Sequence, residues 1–112
     1  MITLVIAGGK DFNNYILLKD TLDKFIEEHG DDIRFITASE FGANLLAEAY
    51  AISNGYPVSS FGDSGNYGED MIKYAAERDG YMIAFWNGKS PGTKMMIDLG
   101  KQYGVETKVV MY

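Results

Sequence analysis

Cysteine is missing from this chain of 112 residues, and histidine occurs once. The first absence excludes disulfides, thiolate metal sites and a cysteine nucleophile, and it fits a reducing compartment. The second leaves no Ser/His/acid arrangement worth defending. His29 closes a helical pattern before Gly30, where a cation is favoured, so it is assigned no catalytic role. No group of His and carboxylates has metal-ligand spacing, so neither a metal nor a cofactor is expected. Apolar runs are short. None could span a bilayer, and Ile2 to Ala7 is too short for a signal-peptide core, so a cytoplasmic protein is expected. Bases are scarce as well: ten against sixteen acids, a net charge of −6. An acidic surface repels phosphate backbones, which argues against nucleic-acid binding.

What is present is an ordinary globular balance, 46% apolar and 23% charged, in a length suited to one domain, residues 1–112. Short apolar runs alternate with amphipathic stretches. Strands are predicted at Thr3–Ala7, Arg34–Thr37, Val58–Phe61, Tyr81–Phe85 and Thr107–Met111. Helices are predicted at Asn14–His29, Ala43–Ser53, Glu69–Arg78 and Pro91–Tyr103. Such alternation argues for an α/β fold, a doubly wound parallel sheet with helices on both faces. Ligands then bind beyond the carboxyl ends of the strands, where the strand order reverses. Eight of the thirteen glycines fall in the four loops on that rim or at a helix start there.

In "FWNGKSPGT" (Phe85–Thr93), Ser90 suits a helix N-cap and Pro91 the first helical position. Gly92 and Thr93 would then offer free N–H groups, a place for an anion, with Lys89 or Lys94 adding charge. A well-capped helix start is the plainer alternative. "GGKDF" (Gly8–Phe12) allows close backbone approach at Gly8 and Gly9, beside Lys10 and Asp11, but matches neither the dinucleotide nor the P-loop spacing. Asp11 or Asn13 could simply cap the first helix. In "TASEFGAN" (Thr37–Asn44), Ser39 is a candidate cap, Glu40 a candidate ribose contact and Gly42 a point of close approach. In "GDSGNYGED" (Gly62–Asp70), Asp63 and Glu69 are candidate ribose or base contacts and Tyr67 a candidate stacking lid; a mobile loop is the alternative. Trp86 could stack on a base, or pack beneath a loop or a dimer partner.

These loops resemble the SLOG superfamily (SMF/DprA and LOG proteins), most closely its small YspA-related branch, along nearly the whole chain. "VIAGGKDF" looks like that branch's opening strand and loop, which usually has Arg where Lys10 stands. "MIAFWNGKSPGT" (Met82–Thr93) and "MIDLGKQYGVETKVV" are similar to its closing segments. The middle departs: where a "GGARGAD"-like loop is usual, this chain keeps Gly42 and Ala43 but has Asn44 for Asp. Tyr67 and Gly68 stand where an Arg-Asn pair usually precedes the methionine matching Met71.

The resemblance implies a Rossmann-like sheet in order 3-2-1-4-5, which sets "GGKDF" beside "WNGKSPGT". It also implies a nucleotide or nucleotide-derived small molecule as ligand, and a homodimer, with helix faces or aromatics such as Tyr50, Tyr74 or Trp86 as candidate contacts. Gly8, Gly9, Lys10, Asp11, Gly42, Trp86, Lys89, Ser90, Pro91, Gly92 and Thr93 are the expected ligand-binding residues. Some relatives hydrolyse glycosidic or phosphoribosyl bonds, and some bind DNA, so a hydrolase and an interaction domain are the alternatives. The LOG branch carries a P-G-G-x-G-T-x-x-E loop; here it shortens to "SPGT", with Met96 at the glutamate position. Binding without turnover is therefore expected, with Glu40, Asp63 and Glu69 as the carboxylates able to replace that glutamate.

Overall fold

The computed structural model describes residues 1–38, 40–62 and 67–112. Along them run β1 (Ile2–Gly8), α1 (Tyr15–His29), β2 (Ile33–Thr37), α2 (Ala43–Ser53), β3 (Val58–Ser60), α3 (Tyr67–Ala76), β4 (Asp79–Trp86), α4 (Pro91–Gln102) and β5 (Glu106–Met111). The strands make one sheet in the order β3-β2-β1-β4-β5, and every pairing is parallel.

Alternation within each strand sorts the core into two layers. Leu4 and Ile6 of β1, with Ile83 and Phe85 of β4, pack among buried residues of α1 and α2. Val5 and Ala7, with Met82 and Ala84, pack against α3 and α4. Strands covered on both faces read as continuous apolar runs, as β1 and β4 do. Fully burying one such Leu or Ile contributes about 1.5–3 kcal/mol.

The reversal follows from one rule of hand. The chain steps from β1 to β2 to β3 in one direction, returns past β1 to β4, then steps outward to β5. A constant crossover hand places the helices of the two halves on opposite faces. The loops after β1 and β4 therefore part company between two hydrogen-bonded neighbours, and a crevice opens above them.

Several boundaries differ from the sequence expectation. β4 runs beyond Tyr81–Phe85 at both ends: it pairs with β1 from Ile2↔Asp79 and with β5 as far as Trp86↔Met111. The third helix starts at Tyr67 and stops at Ala76, because the Arg78 N–H closes a tighter turn onto the Ala75 carbonyl at 3.0 Å. Asn14, not Asp11 or Asn13, caps α1: its Oδ1 accepts from the Leu17 N–H at 3.1 Å. Asp11 is turned away, accepting a 2.6 Å bond from the Tyr112 hydroxyl. Tyr50 is a further correction. It is only 2% exposed, inside the α1–α2 layer, and its hydroxyl donates to Asp23 Oδ1 at 2.6 Å, so it offers nothing to a dimer partner. Among the described residues no helix is long and apolar enough to cross a membrane.

Candidate functional site

A cleft of about 870 Å³ lies at the reversal between β1 and β4. The Gly9 N–H bonds to the Phe85 carbonyl at 3.3 Å, so the loops after the two strands start side by side. Lys10 and Asp11 come from the first loop, Glu40 from the segment before α2, Glu69 from α3, and Ser90, Pro91, Gly92 and Thr93 from the start of α4. Gly8 and Gly9 form part of the floor, and Met71, Met95, Met96 and Leu99 form an apolar wall.

Three expected residues stand outside this lining. Gly42 adopts φ +84° and presses on the first loop: the Ala43 N–H reaches the Gly9 carbonyl at 3.4 Å. Trp86 is half-buried against the α3–α4 layer, and its Nε1–H donates to the Ser90 carbonyl at 3.1 Å. Its indole thus packs beneath the loop instead of facing a base in the cleft. Lys89 is exposed beyond the rim. The candidates Ser39 and Asp63 lie outside the described residues. No group of three His, Cys, Asp or Glu able to hold a metal occurs among the described residues.

The start of α4 is built by local chemistry. Asn87 Oδ1 accepts from the N–H groups of Lys89 and Ser90, both at 2.8 Å, folding the loop so that Ser90 reaches the cap position. Ser90 Oγ then accepts from the Thr93 N–H at 3.4 Å, and the Lys94 N–H bonds to the Ser90 carbonyl at 3.1 Å. The Thr93 N–H is therefore engaged, where the sequence led us to expect it free. Its capping bond is long for an N–H···O contact, so an incoming anion could compete for it. Pro91 has no N–H. Gly92 supplies the remaining first-turn donor, exposed, with open space where its Cβ would be. Lys94 adds little, because Asp98 holds it at 2.5 Å on the outer face.

Three other contributors, Asn44, Asn87 and Tyr112, were given no role in the sequence reading, and a fourth, Tyr67, was expected as a stacking lid and not as a tie to Glu40. Asn44, 4% exposed, accepts from the Ala38 N–H at 2.8 Å and lines the cleft. A polar residue inside an Ala-rich helix start was the available signal. Asn87 was also legible, as the first residue of an Asn-Gly turn. The Tyr67 hydroxyl donates to Glu40 Oε1, linking α3 to the segment before α2. Tyr112 bonds Asp11 from 101 residues away, a pairing with no local signal.

The two phenols carry a pH dependence. The bond to Glu40, with burial, pushes Tyr67 up to about 12. Burial, then the bond to Asp11, pushes Tyr112 up to about 12. Both lie above the unfolded value of about 10, so their stabilisation is complete below that pH and is lost as pH rises through the folded value. The urea midpoint is expected to fall between about pH 10 and 12, and to fall less steeply in a Tyr67→Phe/Tyr112→Phe double variant. Equal slopes for the two proteins would contradict this assignment.

Residues 2–62, just over half of the chain, match the model of the YspA, cpYpsA-related SLOG family. The matched span runs from β1 through β3 and includes the first loop, Glu40 and Gly42; Met82–Thr93 lies beyond it. No curated protein and no solved structure matches the chain.

Proposed function

The chain belongs to the YspA, cpYpsA-related SLOG family, and from that premise we propose that it binds a nucleotide or nucleotide-derived small molecule in the cleft without turning it over. The observation that carries this reading is the meeting of the Gly8–Asp11 loop with the open first turn of α4 at the sheet's reversal point. Helix starts of this kind bind anions, and the methionine wall suits an apolar or aromatic group. The volume lies within the range usual for small-molecule sites, about 300–1,000 Å³. Isothermal titration and thermal shift against nucleotides, cyclic nucleotides and ADP-ribose derivatives test it. Silence across that panel would remove the reading.

The absence of turnover rests on the carboxylates. Glycosidic cleavage needs one that can move a proton or steady positive charge on the sugar. At the position where the LOG pattern has glutamate stands Met96, buried in the α3–α4 layer. Glu69 is tied to Lys73 at 2.9 Å and accepts from Tyr103 at 3.3 Å, and the lysine holds its carboxyl below the usual range. Such a group is a poor proton donor at neutral pH. Purified protein incubated with AMP, NAD or ADP-ribose analogues is expected to release no free base or ribose phosphate by chromatography. Steady release that disappears in Glu69→Gln or Asp63→Asn would establish a hydrolase instead.

A homodimer belongs to the same proposal. Phe41 is 75% exposed just before α2, and Leu45 and Ile52 lie seven residues apart on that helix, both exposed. Tyr74 is engaged within the chain by Arg78, 3.5 Å from its ring centre, and by Phe61. Light scattering at micromolar concentration is expected to give twice the 12.4 kDa chain mass. A monomeric mass would count against association.

A further inference from the structure

Resting on that nucleotide-binding reading, we propose that the cleft takes nucleosides and nucleoside monophosphates and discriminates against nucleoside di- and triphosphates. The argument is one of charge supply. Lys10 is the basic side chain in the lining; the acids there are Asp11, Glu40 and Glu69. Glu69 is offset by Lys73. Asp11 and Glu40 are held by the neutral hydroxyls of Tyr112 and Tyr67, and neither takes part in an ion pair among the described residues.

Among the described residues no further cation lines the cleft. Lys89 lies beyond the rim and Lys94 is paired with Asp98. Ser39 and the stretch 63–66 contain no Lys, Arg or His in the sequence. The start of α4 contributes the equivalent of roughly half a positive charge. One lysine and this helix end therefore face two uncompensated carboxylates. A single phosphate ester can sit on the Gly92 N–H in the cleft that Lys10 also lines. Each further phosphate would add negative charge to a cleft that Asp11 and Glu40 also line, and a cleft lined mainly by one sign of charge focuses its field. The same two carboxylates are suited to accept hydrogen bonds from sugar hydroxyls.

The test is titration calorimetry on the intact protein. The probes are the four common ribonucleosides and their 5′-mono-, di- and triphosphates, with and without magnesium, at about 50 and 300 mM salt. For the base that binds, the nucleoside or monophosphate is expected to bind tightest. The triphosphate is expected to bind at least about tenfold more weakly at low salt, with the gap narrowing at high salt. Asp11→Asn and Glu40→Gln should each narrow the gap at low salt. A triphosphate binding as tightly as the monophosphate, or more tightly, overturns the inference while leaving nucleotide binding in place. If no member of this panel binds, the inference falls, while the nucleotide reading falls only if the cyclic nucleotides and ADP-ribose derivatives are silent too.

Discussion

Gly92→Asp is expected to abolish binding of phosphate-bearing ligands while the protein stays folded. Gly92 lies in the exposed first turn of α4, and a Cβ placed there meets no atom within 4 Å. An acidic residue in a first helical turn is itself favourable, by about 0.3–1 kcal/mol, so the helix is not weakened. The damage falls on the ligand. The new carboxylate occupies the space before the free N–H and opposes the helix dipole. Losing one hydrogen bond to a charged group costs about 1.5–3 kcal/mol, roughly a tenfold to hundredfold drop, and like-charge repulsion adds to it. Calorimetry should show no measurable binding of a monophosphate at concentrations that saturate the native protein, with an unshifted thermal melt. Binding of the corresponding nucleoside, which lacks the phosphate, should fall far less. Unchanged monophosphate affinity in the folded variant would remove the start of α4 from the site.

That expectation could be framed from sequence because its ingredients are local. Ser90, Pro91 and Gly92 follow one another, and cap chemistry acts over three residues, so the helix start was legible without coordinates. The strand–helix alternation was legible for the same reason, since burial on both faces leaves continuous apolar runs such as Leu4–Ile6. The strand order came from family resemblance, because periodicity does not say which strands pair. The placement of Asp11 was not legible, and for Trp86 the sequence left stacking on a base and packing beneath a loop both open. Trp86 is fixed by a carbonyl in the next loop and by core packing, while Asp11 is oriented by Tyr112 from the far end of the chain. Side chains that serve a neighbouring loop look the same in sequence as side chains that face a ligand. Gly42 shows this ambiguity most sharply: glycine at a rim loop signals close approach, and here the approaching group is another backbone.

Gly42→Ala is expected to be strongly destabilising and to impair binding indirectly. At φ +84° the residue occupies the left-handed region, which a side chain resists. An added Cβ would overlap the Gly9 carbonyl oxygen and lie 2.9 Å from Lys10 Cα. These are backbone atoms, held by the Gly9 N–H bond to Phe85 and the Phe12 N–H bond back to Gly9 at 3.2 Å, so the clash cannot be relieved by a rotamer change. Conformational strain of about 1–3 kcal/mol and overpacking of about 1–3 kcal/mol act together. Their sum is a large share of the roughly 5–15 kcal/mol that stabilises a domain. A fall in melting temperature of at least about 10 °C is expected. Gly92→Ala, with open space at its Cβ, should leave the melt nearly unchanged and serves as the control. Where Gly42→Ala still folds, the first loop must move away from α2, carrying Lys10 and Asp11 with it, so affinity should fall although neither residue is altered. A native melting temperature with native affinity in Gly42→Ala would show that the two loops are not locked together as this geometry requires.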